Sequence, residues 1–174
     1  MKRGIALWLT GLSGAGKSTI ATLFKTEQEG RGYSVRIVDG DDVRAMREVE
    51  LSFSPEDIRT NNRIIAEHVT SIRSDYDYVV ISVVAPFRSS RKLSREIIGE
   101  KYFECYINAS VDEVIGRDTK GLYGKALNGE IEYFIGVDPR VPYEPPESPD
   151  IVLRTGMEAA QESARKLIAF LEDK

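Results

Sequence analysis

At 174 residues the chain has the length of one domain and enough residues to bury a substantial core. Its 41% hydrophobic and 30% charged residues make an ordinary globular balance, and a formal net charge of -4 argues against a general nucleic-acid binder while leaving room for a local basic pocket. A single cysteine, Cys105, excludes an internal disulfide or a cysteine-based zinc site, and no apolar stretch approaches the ~20 residues of a membrane span. The apolar run from Ile5 to Leu9 is too short for the core of a signal peptide, so a reducing, cytoplasmic compartment is expected, with no membrane partner.

In chain order, Gly4 to Thr10 is a continuous apolar run, the pattern of a strand buried on both faces. A glycine-rich turn follows, and then Lys17 to Glu29 reads as a helix with Ile20, Leu23 and Phe24 on one face, ended by Gly30 and Gly32. Val35 to Val38 reads as a second strand that ends at Asp39-Gly40-Asp41. Pro55 to about Arg73 reads as a long helix, with Ser54 as N-cap, Pro55 in the first helical position and Asp57 three residues after the cap. Tyr78 to Val84 is a third strand, Ser90 to Gly99 a helix, Tyr102 to Ile107 a fourth strand carrying Cys105, and Val111 to about Arg117 a further helix. Trp8 and Cys105 read as core, and His68, the only histidine, as structural.

The stretch Thr119 to Pro149 holds four glycines and five of the seven prolines. It is long for a loop, and Tyr123, Tyr133, Phe134 and Tyr143 argue for an ordered lid, spanning about 117–149, over disorder. Ile151 to Leu153 is a fifth short strand, and Met157 to Leu171 a closing amphipathic helix. Alternating strands and helices predict an α/β fold with a parallel sheet covered on both sides, as one domain over residues 1–174.

Gly11-Leu12-Ser13-Gly14-Ala15-Gly16-Lys17-Ser18 fits G-x-x-x-x-G-K-[ST] in full, between a predicted strand and a predicted helix. Glycines let successive backbone N–H groups point at phosphate oxygens, and the helix adds its partial positive end. Lys17 is placed to reach the β- and γ-phosphates of ATP, and Ser18 to offer its hydroxyl to Mg²⁺. The loop alone leaves kinase and NTPase open. No acid closes the third strand where a Walker-B Asp would stand; carboxylates follow the second strand instead, at Asp39, Asp41 and Asp42. One of them could hold Mg²⁺ or accept a proton from an acceptor hydroxyl. Arg44, Arg47, Arg59, Arg63, Arg88 and Arg91 gather downstream and suggest an anionic acceptor, although each alone could belong to a solvated helix face.

Further motifs carry a family resemblance over nearly the whole chain. They are Asp39-Gly40-Asp41-Asp42-Val43-Arg44, Phe53-Ser54-Pro55-Glu56-Asp57, Arg117-Asp118-Thr119-Lys120-Gly121-Leu122-Tyr123, Gly129-Glu130-Ile131, and Pro142-Tyr143-Glu144-Pro145-Pro146-Glu147-Ser148-Pro149. With the phosphate loop through Thr19, they resemble the adenylylsulfate (APS) kinases. The resemblance implies a P-loop NTPase fold of three αβα layers, with a five-stranded sheet in the order 2-3-1-4-5, and a homodimer. It implies transfer of the γ-phosphoryl of Mg-ATP to the 3′-hydroxyl of adenosine 5′-phosphosulfate in sulfate assimilation, giving PAPS and ADP. It assigns catalysis to Lys17 and Asp41, Mg²⁺ to Ser18 and Asp41, and ATP contacts to residues 11–19 with Arg117. The acceptor set is Asp39, Arg44, Phe53, Arg59, Asn61, Lys120 and Phe134, with the two phenylalanines enclosing the acceptor adenine.

The chain departs from that pattern on the acceptor side. Ile58 stands where the family carries an acceptor-binding Arg, and Arg59 follows it, about 100° further round a helix. Ala85 stands where the family carries the serine of a proposed phosphoenzyme, so the expectation is direct in-line transfer. Tyr133-Phe134-Ile135-Gly136 replaces Gly-Phe-Thr-Gly, and Asp138-Pro139-Arg140-Val141 carries extra residues. Two further readings stand beside an APS kinase: a related kinase acting on another nucleotide such as a cytidine diphosphoramidate, and a non-catalytic nucleotide-binding module.

Overall fold

The central strand dictates the architecture. In the computed structural model, which describes residues 3–40, 43, 51–118, 120–172 and 174, every residue of β1 (Ile5–Thr10) is buried. It pairs in parallel with β3 (Tyr78–Ser82) on one side and β4 (Tyr102–Ile107) on the other. With β2 (Val35–Asp39) and β5 (Ile151–Leu153) outside them, the order is β2-β3-β1-β4-β5, as expected. A strand with neighbours on both edges and helices on both faces meets no water, which is why its sequence does not alternate.

The two-residue side-chain period sorts β1 between two cores. Leu7 and Leu9 pack with Ile20 and Phe24 of α1 (Lys17–Gly30) and with Leu167, Ile168 and Leu171 near the C-terminus. Ala6 and Trp8 pack with Ile65, Ala66 and Val69 of α2 (Pro55–Ile72) and Ile98 of α3 (Arg88–Ile98). Trp8 and Cys105 are fully buried. α4 (Val111–Arg117) and a short α5 (Leu122–Leu127) precede β5, and α6 (Ala160–Glu172) closes the chain. Among the described residues no helix is long and apolar enough to cross a membrane.

The caps behave as the sequence predicts. The Ser54 side chain accepts from Asp57 N at 3.2 Å, satisfying a first-turn donor of α2. Three boundaries move. The third strand ends at Ser82, before the chain turns through Ala85 at φ 44°. α3 begins at Arg88, whose N–H is taken by the Glu144 carboxylate at 2.7 Å. α6 begins at Ala160, leaving Met157 86% exposed, because Glu158 accepts from Arg154 N (3.1 Å) and Ser163 Oγ (2.6 Å) and closes a separate turn ahead of the helix.

One polar clamp fixes the entry to β2 and β3. Asp77 accepts from Ser34 N and Ser34 Oγ, both at 2.8 Å, and Ser34 Oγ accepts in return from Asp77 N at 2.9 Å. The donated hydrogen bonds hold the Asp77 carboxyl below its ordinary range. A depressed carboxyl contributes stability above the unfolded value of about 4, and loses it as pH falls through the folded value. Asp77→Ala is therefore expected to lower Tm by a few degrees at pH 7 (about 2–4 °C per kcal/mol at this size). The gap from the parent protein should shrink as pH falls below the unfolded value of about 4; thermal melts from pH 3 to 8 check this, and a pH-independent gap overturns it.

Candidate active site

β1 delivers the chain into the glycine loop at the C-terminal edge of the sheet, the edge where open α/β sheets hold ligands. Two glycines are required by geometry. A Cβ on Gly11 would lie 2.4 Å from the Ile107 carbonyl oxygen, so only glycine lets the loop cross β4 at this distance. Gly16 adopts φ 104° at the N-cap of α1, a conformation that favours glycine. Lys17 opens the helix and is 8% exposed, its Nζ donating to the carbonyls of Gly11 and Leu12 at 2.8 Å each. Burial pulls its pKa down to about 7, with Lys120 adding to the fall and Asp39 opposing it. A desolvated ammonium at the base of a ring of N–H groups is poised to gain from an arriving polyanion.

Ser18 Oγ lies 3.2 Å from Ser82 Oγ, at the paired ends of α1 and β3. Long-range contacts hold the loop from outside. Thr155 Oγ1 donates to Ala15 O at 2.7 Å, and Tyr123 OH donates to Ser13 O at 2.8 Å. The Arg117 guanidinium reaches Thr155 O at 2.6 Å and Gly14 O at 3.4 Å, which puts it beside the loop.

From this loop a cavity of about 600 Å³ extends between α2 and the segment after α5. Ser13, Gly14, Gly16, Lys17, Ser18 and Thr19 line one end. Asp39, Phe53, Asn61, Lys120 and Phe134 line the rest, so these five expected acceptor residues share one space with the phosphate loop. Phe134 meets Tyr123 edge-on, with ring centres 4.9 Å apart, and Phe53 is half exposed at the rim. Asp41 and Arg44, with Asp42 and Arg47, lie outside the described residues.

The arginines otherwise go elsewhere. Arg59 does not line the cavity; its guanidinium stacks 4.3 Å from the centre of the Phe87 ring. The one-residue offset from Ile58 has turned it off the inward face. Ile58 points in, 3% exposed, and packs with Phe87, Val141, Tyr133 and Ile135. Arg91 is 2% exposed and fully engaged. It pairs with Glu104 at 2.6 Å and donates to the carbonyls of Ala85 (2.7 Å), Pro86 (3.1 Å) and Glu144 (2.6 Å). Arg88 pairs with Glu147 at 3.0 Å and Arg63 faces Glu67 at 3.9 Å.

Sequence reasoning missed Asn62, Leu122, Ile131, Glu132 and Tyr133 as lining residues. Asn62 was legible in part, because it sits four residues after Ile58 on the same helical face. Tyr133 depends on the extra residues after it. Asp138 accepts from Tyr133 N at 3.0 Å and pairs with Arg140 at 2.7 Å, and the Arg140 guanidinium lies 4.1 Å over the Tyr133 ring. That fold-back holds Tyr133 at φ 55°.

The comparisons with known proteins agree with this geometry. Residues 3–154 match the family model for adenylylsulphate kinase. An adenylyl-sulfate kinase of Halothermothrix orenii is 42% identical over 174 residues, covering 99% of this chain and 92% of that protein. A probable adenylyl-sulfate kinase of Bacillus subtilis is 42% identical, covering 97% and 85%. The Mycobacterium tuberculosis APS kinase CysC, solved in complex with AMPPNP and APS, superposes with a TM-score of 0.91 at 34% identity, covering 99% of each chain. A glycine loop ending in a buried lysine, opening into a cavity walled by Phe53, Asn61 and Phe134, and a match spanning most of the chain lead to one conclusion: the chain belongs to the adenylylsulfate kinase family.

Proposed function

We propose that this protein transfers the γ-phosphoryl of ATP directly to the 3′-hydroxyl of adenosine 5′-phosphosulfate, producing PAPS and ADP. One observation carries the reading. The phosphate loop and the aromatic and amide groups of the acceptor side line a single cavity, so donor and acceptor can meet without an intervening carrier. Ala85 supplies no hydroxyl at the position of the family's serine, which leaves in-line transfer between bound substrates.

In this reading the loop amides and Lys17 balance charge on the transferring phosphoryl, and Asp41 orients the attacking hydroxyl and takes its proton. Phe53 and Phe134 hold the acceptor adenine between their faces, with Asn61 and Lys120 at its polar edges. Asp39 and Arg44 complete the acceptor side, and Arg117 lies over the ATP. The hydroxyl of Ser18 beside Asp39 and the loop suits Mg²⁺, which accepts one or two protein oxygens and completes its shell with phosphate and water. Ser18 and Asp41 would hold it, and the ion would neutralise phosphate charge. Segment 117–149 acts as the lid, latched through Tyr123, and excludes water that would compete for the phosphoryl. The family resemblance adds a homodimer, which size-exclusion chromatography with light scattering would test.

Three measurements check this reading. Mg-ATP with APS should yield ADP and PAPS in equal amounts, while cytidine nucleotides support little turnover; preference for a cytidine acceptor would reassign the substrate, and silence with every acceptor would favour a binding module. Lys17→Ala should lower kcat by about 10³-fold, matching the loss of a transition-state charge contact, with the fold retained by circular dichroism. Tyr123→Phe removes only the latch to Ser13 and should raise acceptor-free ATP hydrolysis several-fold relative to transfer. An unchanged ratio of hydrolysis to transfer would show that the latch does not govern water exclusion.

A further inference from the structure

The inward face of α2 presents three residues to the cavity, Ile58, Asn61 and Asn62. Ile58 carries no donor and is held in the apolar cluster with Val141 and Phe87. Arg59 is stacked over the Phe87 ring and does not line the cavity. This helix therefore brings no cation to the acceptor side, only carboxamides.

Asn62 is the unusual one. It is 3% exposed, and among the described residues its buried Nδ2 has no hydrogen-bond partner. An unpaired buried donor is costly, and nearly all such groups in folded proteins are paired. Its two ends exchange by a half-turn about χ2, so the side chain can offer either its donor or its acceptor to the cavity it lines. A leucine of similar volume would fill the same place among Ile58, Ile65 and Ala66 with no polar cost.

We propose that Asn62 is a specificity-determining residue for the acceptor, its amide N–H donating to an oxygen of the bound acceptor nucleotide. The inference rests on the reading of this cavity as the acceptor site. It gives the chain a neutral donor on the helix whose family position is occupied by an arginine, one turn before, at Ile58. A neutral amide recognises an oxygen by direction and does not depend on net charge. Acceptor selection by α2 is thus directional hydrogen bonding beside an apolar wall.

The test is steady-state kinetics of the full-length wild type, Asn62→Leu and Asn62→Asp, with thermal melts of each. The acceptor is whichever of APS and the cytidine and adenosine nucleotides the wild type turns over. Asn62→Leu should raise the acceptor KM about tenfold, the effect of one lost hydrogen bond of ~1.4 kcal/mol. Its KM for ATP should stay within about twofold and its Tm should be equal or higher, since a desolvated amide is removed. Asn62→Asp, which keeps the shape and removes the donor, should weaken the acceptor at least as much. An Asn62→Leu variant with a raised Tm and an unchanged acceptor KM would overturn the proposal, as would a fall in Tm with both KM values shifting together. Wild-type turnover of a nucleotide other than APS would replace the APS reading and leave Asn62 to be judged on that nucleotide. Absence of turnover with all of them defeats both.

Discussion

The site depends on one buried ammonium. Lys17 is almost wholly withdrawn from water, and its partners are two carbonyls of the loop that precedes it. Desolvating a charge is unfavourable, and burial is the main reason its pKa falls to about 7. The lysine stays where it is because α1 begins at that residue and the loop cannot move away: Gly11 is pressed against Ile107, and Ser13, Gly14 and Ala15 are tied by Tyr123, Arg117 and Thr155. The central, fully buried β1 is the anchor for all of it. A strand nearer the edge would leave the loop free to relax around the charge. A phosphate entering the loop supplies the attraction that burial removes, so the buried ammonium and the ring of N–H groups serve one polyanion.

Local patterns made most of this fold legible in the sequence. The unbroken apolar run of β1 reports two covered faces, and Ser54 with Pro55 reports a helix start, because both signals act within a few residues. What the sequence could not carry was the destination of long side chains. Arg59 and Arg91 look alike in a list of cations, yet one stacks on Phe87 and the other is buried between Glu104 and three carbonyls. The latch from Tyr123 to Ser13 joins residues over a hundred positions apart, and no spacing rule anticipates it. The start of α6 moved for a related reason: a carboxylate, Glu158, competed for the backbone with an otherwise good helical pattern.

Several of the departures from the family pattern meet in one structural unit. Ile58, Phe87, Tyr133, Ile135 and Val141 come from three separated stretches of the sequence and meet in a single apolar cluster, from which Ile58, Tyr133 and Ile135 line the cavity. Taken one at a time, the loss of an arginine and the changed residues after Ile131 look independent. Packed together they compensate each other, since an isoleucine in place of a cation needs apolar neighbours, and the extra residues around Asp138 place Val141 and Tyr133 to provide them.

Two residues on that same wall have backbone conformations that non-glycine residues rarely adopt. Ala85 has φ 44° and Tyr133 φ 55°, and each is worth about 1–2 kcal/mol of local strain. Neither is left to find its own minimum. The Ala85 carbonyl accepts from Arg91 at 2.7 Å and Thr10 at 3.4 Å, and the Tyr133 N–H is taken by Asp138 at 3.0 Å. Arg91 also grips the Glu144 carbonyl, and Glu144 N donates to Pro86 O at 2.9 Å, so one buried guanidinium fixes the strained turn after β3 and the far end of the proposed lid together. The strain on both sides of the cavity is held by charged groups that do not line it, so the fold itself sets the shape of this wall. Among the described residues, the apolar wall of the cavity is thus braced at its two strained turns, with the carboxamides of α2 standing beside it.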